Sequence, residues 1–340
     1  MTETLKIIIP MAGWGTRMRP HTWSKPKPLI SVAGKPSLDH LLDMFATLPD
    51  HRNVEFIFII SPYLGEQIPP YIDEHYPRIK THFVVQPEMK GQSHALWLAR
   101  EYLHGPMLLV FSDTLLETDF SFLAHEKSDG VAWVKAVPDP RRFGVAEVDK
   151  DGWITRLIEK PMTMESNLVV VGCYYFKDAK KLLVAIKEQI KNELILKGEY
   201  FLTDAITLML KSGAKMRIQK VDVWLDTGTI DATLETNRLL LKRGKSNTPL
   251  QIDPNTKIIE PVFIHPSAKI INSTIGPYAS IGPNCVITDS CVEDSILEEE
   301  VQVTATALKD SIIGNQAKIQ GRSSDNPITV LIGDNSSIKL

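Results

Sequence analysis

A chain of 340 residues with 43% apolar and 23% charged side chains can bury more than one core and reads as two domains of an ordinary globular protein. Its net charge of −3 supplies no basic field to recruit nucleic acid, and no apolar run approaches bilayer-spanning length. The three cysteines, Cys173, Cys285 and Cys291, are odd in number, lack metal-ligand spacing and sit in apolar runs; core packing in a reducing cytoplasm is expected, and Met1-Thr2-Glu3-Thr4 has an acid where a secretory leader would be positive.

The first expected strand, residues 5–9, runs into Pro10-Met11-Ala12-Gly13-Trp14-Gly15-Thr16-Arg17, and Lys25-Pro26-Lys27-Pro28-Leu29 follows closely. Two glycines at the end of a strand allow tight, positive-φ turns that aim successive N–H groups at an anion. Arg17 adds a fixed fork for phosphate oxygens, and Lys25 and Lys27 add point charges. The loop is neither a P-loop, which ends Gly-Lys-Ser/Thr, nor a dinucleotide fingerprint with its third glycine. It reads as a nucleoside triphosphate site.

Further strands are expected at 54–60, 82–85, 107–111, 130–137 and 167–176, and helices at 38–48, 91–102 and 180–191. That alternation predicts an α/β fold, a Rossmann-like, mostly parallel sheet with helices on both faces. Ligands of such sheets sit beyond the carboxyl ends of the strands, where the glycine loop falls.

Near residue 245 the texture changes. Residues 242–249 are polar and turn-rich. Beyond them aliphatics recur every five or six residues, among them Ile264, Ile270, Ile275, Ile281, Ile287, Val292 and Leu297. Asp289-Ser290, Asp294-Ser295 and Asp310-Ser311 fall at the expected turns. This is the pattern of a hexapeptide-repeat parallel β-helix, and it fails the 3.6-residue period of an amphipathic helix. The expected division is a catalytic domain at 1–245, a linker at 246–260 and the β-helix at 261–340.

Ala-Gly-x-Gly-Thr-Arg, the Pro-Lys-Pro-Leu segment and Gly34-Lys35-Pro36 together resemble the opening of the sugar-1-phosphate nucleotidyltransferases, many of which carry a left-handed β-helix tail. The resemblance implies an enzyme that joins a nucleoside triphosphate (NTP) to a sugar 1-phosphate and releases pyrophosphate. Such chemistry needs no protein nucleophile. It needs charge neutralisation, in-line positioning and a hard divalent cation, Mg²⁺, held by one or two carboxylates with phosphates and waters.

The family's motifs appear in order. Asp113, after the apolar run 107–112, and Asp226, in Trp224-Leu225-Asp226-Thr227-Gly228-Thr229, match its two metal-binding aspartates. Ser112 stands where glycine is usual, and Met11 where alanine is usual. Met11, Ala12, Gly13, Gly15, Thr16 and Arg17 would contact the nucleotide. Gln86, Gly91, Gln92 and Ser93 lie in the segment that resembles the base-reading loop, and His94 is expected on a helix face. Gly144, in Arg142-Phe143-Gly144-Val145, Glu159 and Lys160 of Glu-Lys-Pro, and Val171-Gly172 would hold the sugar phosphate. Residues 199–204 resemble the Glu-Tyr/Phe-x-x-Thr-Asp segment. Lys27 is the expected stabiliser of charge at the α-phosphate, Arg17 the grip on the triphosphate, and Lys25 a helper or a solvated cation.

The glutamine in the base loop resembles that of the pyrimidine-reading members, and its paired donor and acceptor suit a pyrimidine edge, so dTTP or UTP is expected; glucose 1-phosphate is implied by the resemblance alone. The Lys-Pro-Lys-Pro-Leu run also occurs in mannose-1-phosphate guanylyltransferases. A non-catalytic regulatory subunit would lack some of Arg17, Lys27, Asp113 and Asp226, all of which are present. A β-helix acyltransferase would need a histidine base in the coils, and the only histidine after residue 245 is His265. The tail is expected to serve assembly into a homo-oligomer, or regulation.

Overall fold

The structure is a computed structural model and describes residues 3–50, 53–248, 253–321 and 326–340. Met1 and Thr2 of the leader reading, and 249–252 of the expected linker, lie outside the described residues. Two compact units form, and they do not follow chain order. One is Met1–Gly13 with Leu41–Trp224; the other is Trp14–His40 with Leu225–Leu340.

The first unit is built on one nine-stranded sheet. Its strands are β1 (Leu5–Pro10), β2 (Val54–Ile60), β3 (Lys80–Val85), β4 (Met107–Val110), β5 (Gly130–Ala136), β6 (Gly144–Val148), β7 (Ile154–Glu159), β8 (Leu168–Phe176) and β9 (Met216–Lys220). The order is β7-β6-β8-β4-β1-β2-β3, with β5 on β8 and β9 on β5. β4, β1, β2 and β3 run parallel. β2 and β4 are buried along their whole length, which is why β4 reads as an unbroken apolar run and β2 as one interrupted only by Glu55, the partner of Lys6. β8 runs antiparallel to β4, β5 and β6, so the expected parallel sheet carries an antiparallel patch.

The helices in chain order are α1 (Ser37–Asp43), α2 (Ile68–His75), α3 (Gln92–Leu98), α4 (Ala179–Lys191), α5 (Leu202–Lys211) and α6 (Ile230–Leu240). Two expected helices are shorter than their patterns. α1 gives way to a 3₁₀ turn at Met44–Thr47, and α3 ends at Leu98. None of the described helices is long and apolar enough to cross a membrane. α3, α4 and α5 pack on the sheet through Leu96, Leu182, Ile186 and Ile206 in one continuous core.

In the second unit successive short strands visit three parallel sheets in turn, which is the topology of a β-helix. One sheet stacks Phe263–Ile264, Ser280–Ile281, Ile296–Leu297, Ile312–Ile313 and Leu331–Ile332. Stacked groups such as Ser273 and Ser290 lie 17 residues apart, and Ser290 and Thr306 lie 16 apart. Ile264, Ile275, Ile281, Ile287, Val292, Leu297 and Val303 fill the interior. The Asp-Ser pairs make the corners. Asp289, Asp294 and Asp310 take φ near +50°, a region that Asp tolerates through local hydrogen bonding. The Ser273, Ser290, Ser295 and Ser311 hydroxyls then accept the backbone N–H of the coil above.

Leu241–Lys245 continues α6 as a π turn, and Asn247 bridges to Phe263 in parallel register. Lys257–Ile258 already belongs to a β-helix sheet. α6 docks on the coils through Leu234 against Ile296 and Ile312. Of the cysteines, Cys173 and Cys285 are buried as expected, while Cys291 is only half-buried.

Candidate active site

On the first unit the glycine loop leaves β1 through Met11 and Ala12, both buried. The Met11 N–H is donated to the Ile59 carbonyl at 2.8 Å, so that amide already has its acceptor. A Cβ at Gly13 would meet nothing within 4 Å, and Gly13 stays outside the left-handed region. Of the two loop glycines, therefore, only Gly15 uses the freedom expected of both.

The base-loop segment is tied to residues 199–204. The buried Gln86 side chain donates from Nε2 to the Gly91 carbonyl at 3.2 Å. Gly91 has φ +94°, and a Cβ there would lie 2.6 Å from the Tyr200 carbonyl oxygen. Ser93 donates its N–H to the Tyr200 carbonyl at 3.1 Å and its hydroxyl to the Phe201 carbonyl at 3.2 Å. Ser93 thus locks the two segments together with groups that were expected to meet nucleotide. Gln92 Oε1 is buried and has no hydrogen-bond partner among the described residues, an unmet acceptor of the kind a ligand donor satisfies. His94 lies on α3 as expected, and burial lowers its pKa.

Gly144, Glu159 and Thr203 meet at the same end of the unit. A Cβ on Gly144 would come within 3.0 Å of Thr203 Cγ2 and 3.2 Å of Glu159 Oε2. Thr203 donates its hydroxyl to Glu159 Oε2 at 3.4 Å. Burial raises the Glu159 pKa, opposed by the Lys160 ammonium and the Thr203 hydroxyl, and burial likewise raises Asp204. Lys160 takes φ +47°, a strained state for a lysine. Its N–H is held by the Phe143 carbonyl at 2.9 Å, and its ammonium sits 4.8 Å from the centre of the Phe201 ring. Thr203 and Asp204 lie in the 199–204 segment that resembles the Glu-Tyr/Phe-x-x-Thr-Asp motif.

Asp113 occupies the turn after β4, half-buried. Phe111 donates its N–H to the Gly172 carbonyl at 2.9 Å, and the Thr114 hydroxyl donates to the Val171 carbonyl at 2.8 Å. Gly172 marks the irregularity in β8 between Val170 and Tyr174. It has φ +80°, and a Cβ would lie 2.7 Å from Phe111. Ser112 is buried and outside the left-handed region, so its backbone conformation does not require glycine.

On the second unit Gly15 takes φ +60°, and a Cβ there would lie 2.8 Å from Thr22 Cγ2 and 3.5 Å from Lys27 Cβ. Thr22 donates its hydroxyl to the Gly15 carbonyl at 2.9 Å. Thr16 and Arg17 follow in an exposed 3₁₀ turn, and Lys27, half-buried, opens another at Lys27–Leu29. The Asp226 carboxylate is oriented by the Gly228 N–H at 2.6 Å. Asp226 also takes the Thr236 hydroxyl on its main-chain carbonyl. Thr229 caps α6, and Thr233 on that helix reaches Met18 Sδ at 3.6 Å. Within this unit the aspartate motif and the arginine turn are therefore packed together. Lys25 departs most from expectation: it is 7% exposed and ion-paired with Glu298, and nothing near it in sequence signals that partner.

Residues 6–243 match the model of the family described as nucleotidyl transferase, and residues 258–339 match that of the GMPPB C-terminal domain. The bifunctional protein GlmU of Methanocaldococcus jannaschii is 32% identical over 96% of this chain and 83% of its own. The glucose-1-phosphate thymidylyltransferase of Streptomyces antibioticus is 28% identical over 99% of each. A solved nucleoside-diphosphate-sugar pyrophosphorylase from Vibrio cholerae shares the fold, with TM-score 0.60 and 19% identity over 68% of this chain and 99% of that one. The chain is therefore a member of the nucleotidyl transferase family, of the sugar-1-phosphate kind that its opening resembles.

Proposed function

We propose that this enzyme transfers a nucleotidyl group from dTTP or UTP to glucose 1-phosphate and releases pyrophosphate. The observation that carries the reading is the turn at Gly15. The left-handed glycine lets Thr22 and Lys27 close against it and leaves Arg17 exposed on the following turn. A guanidinium and an ammonium carried on turns of fixed backbone neutralise phosphate charge. Lys27 acts at the α-phosphate, and Arg17 grips the triphosphate. The sugar 1-phosphate brings its own nucleophilic oxygen, so no protein base is assigned.

The pyrimidine preference rests on the glutamine pair. Gln86 is held by Gly91, and the unmet Gln92 Oε1 accepts from a base edge. Gly144, Glu159, Lys160, Val171 and Gly172 receive the sugar phosphate, Glu159 as acceptor of sugar hydroxyls. Asp113 and Asp226 are the carboxylates assigned to Mg²⁺. Two hard oxygen donors completed by phosphate and water suit that ion, and the Gly228 N–H fixes the orientation of one of them. When bound, the ion neutralises charge on the departing pyrophosphate. The enzyme is cytoplasmic in this proposal and assembles through its β-helix into a homo-oligomer.

A mannose-1-phosphate guanylyltransferase is the second reading, favoured by Lys25-Pro26-Lys27-Pro28-Leu29. Pyrophosphate release with Mg²⁺, over the common NTPs crossed with glucose, mannose, galactose and N-acetylglucosamine 1-phosphates, separates the two. Turnover with dTTP or UTP and glucose 1-phosphate supports the first. Turnover with GTP and mannose 1-phosphate alone replaces it. Silence across the grid from folded protein points instead to a regulatory subunit.

A further inference from the structure

We infer that Glu298, a residue of the β-helix, is a positioning residue for the transfer reaction: its two carboxylate oxygens bracket the turn that carries Lys27. This rests on the role proposed for Lys27. Glu298 Oε2 pairs with the Lys25 ammonium, two residues before Lys27. Its Oε1 accepts the Ser31 N–H at 3.1 Å, four residues after Lys27. The 3₁₀ turn Lys27–Leu29 lies between these anchors. The Glu298 side chain is 1% exposed and that of Lys25 8%, so the pair is not a solvated surface bridge.

A second carboxylate extends the clamp. Asp334, also on the β-helix, lies 3.4 Å from the Lys25 ammonium and accepts the Ser24 hydroxyl at 2.7 Å. The segment is anchored again at Ala33, whose N–H reaches Asn237 Oδ1 at 2.9 Å, and Asn237 in turn holds Ser280 and Tyr278 of the coils. Every anchor belongs to the unit of Trp14–His40 and Leu225–Leu340. The family's phosphate-binding segment is therefore seated on the tail, and the tail contributes to the geometry of Lys27. A buried ion pair is a weak source of net stability, but losing one partner strands a charge. A shift of about 1 Å in a catalytic group can cost on the order of 100-fold in rate.

The test compares full-length wild type with Glu298→Ala, Glu298→Gln and the double variant Lys25→Met/Glu298→Met, which removes both charges of the buried pair and leaves Asp334 the Ser24 hydroxyl. Steady-state kinetics on the productive substrate pair and hydrogen exchange of peptides covering 24–33 are read together. The expected result is a fall in kcat of about 100-fold in Glu298→Ala and in the double variant, with both KM values changed by less than about threefold. Glu298→Gln, which keeps the acceptor for Ser31, is expected to lose less. Exchange in 24–33 should rise in Glu298→Ala and in the double variant, while the amides of β1, β2 and β4 stay protected. A folded double variant with wild-type kcat and wild-type exchange in 24–33 would overturn the inference and leave Glu298 a structural residue. If wild type turns over no substrate pair, the functional reading fails by itself, and the exchange comparison still decides whether Glu298 fixes the turn.

Discussion

Gly91 lies against the backbone of Tyr200: a Cβ at Gly91 would sit 2.6 Å from the Tyr200 carbonyl oxygen and 2.7 Å from its nitrogen, and Gly91 has φ +94°. Both the space and the dihedral exclude any side chain. The backbone of Tyr200 cannot yield as a flexible side chain would. Gly91→Ala is expected to destabilise by at least about 1–3 kcal/mol and to raise KM for the nucleotide, because Gln86 holds on to the Gly91 carbonyl. Chemical denaturation and initial rates check both. An alanine variant with wild-type midpoint and KM would refute the constraint.

Lys27→Ala and Asp113→Asn remove a charge without opening a core. Lys27 and Asp113 are both half-buried, so folding should survive. With Lys27 at the α-phosphate and Asp113 on the metal, each change is expected to abolish turnover, a loss of about 100- to 1,000-fold or more. Circular dichroism and melting should stay near wild type. Wild-type-like rates in either variant would remove the role given to that residue.

The relation between Gly91 and Tyr200 also marks where sequence reasoning reached its limit. β1, β2 and β4 were legible because parallel strands buried on both faces are nearly continuous apolar runs, broken here only by Lys6 and Glu55. The β-helix was legible because its interior repeats every five or six residues and its corners take Asp-Ser. α2 was not, because Pro69-Pro70 reads as a break; in the structure the prolines stand in its first turn, where their missing N–H groups cost nothing. The hairpin of β6 and β7 was hidden by exposed charges such as Arg156, which pairs with Glu147. The site motifs were visible as short words, but their tertiary partners were not. Ser93 reads as a nucleotide ligand until Tyr200 and Phe201 are found on it. Lys25 reads as a helper or a solvated cation, and nothing in Glu298-Glu299-Glu300 marks its partner. Only the fold shows that the first of those three acids is buried on a lysine 273 residues away.

Glu159 tests the sugar-phosphate side. Burial raises its pKa above the ordinary 4.5, opposed by Lys160 and Thr203. An acceptor of sugar hydroxyls works as the carboxylate, so affinity for the sugar phosphate should be full above the raised pKa and fall as pH drops through it. Glu159→Gln keeps the shape and removes the charge. KM for the sugar phosphate is expected to rise about tenfold, the worth of one charge-assisted hydrogen bond, with KM for the NTP unchanged. A variant that alters the nucleotide KM instead would move Glu159 out of the sugar site.

His21 should make stability depend on pH between about 6.5 and 4. The ring is fully buried, and neither nitrogen has a hydrogen-bond partner among the described residues. Burial and then the Lys25 ammonium lower its pKa from 6.5 to about 4, with Asp334 pulling the other way. The unfolded chain takes up a proton near 6.5, while the folded chain resists until about 4. Between those values the unfolded state holds more protons, so stability is full above 6.5 and falls as pH drops toward 4. The loss is about 3 kcal/mol, at roughly 1.4 kcal/mol for each unit of difference. Glu55, whose burial is outweighed by hydrogen bonds from Lys6 and Lys80 that bring it to about 2, adds its own loss only below its unfolded value of 4.5. The difference between wild type and His21→Phe in denaturant unfolding at several pH values between about 7 and 4.5 therefore isolates this histidine. Wild type should lose more stability across the window than His21→Phe, in which His94, its pKa also lowered by burial, leaves a residual slope; equal slopes in the two proteins would mean that His21 contributes nothing.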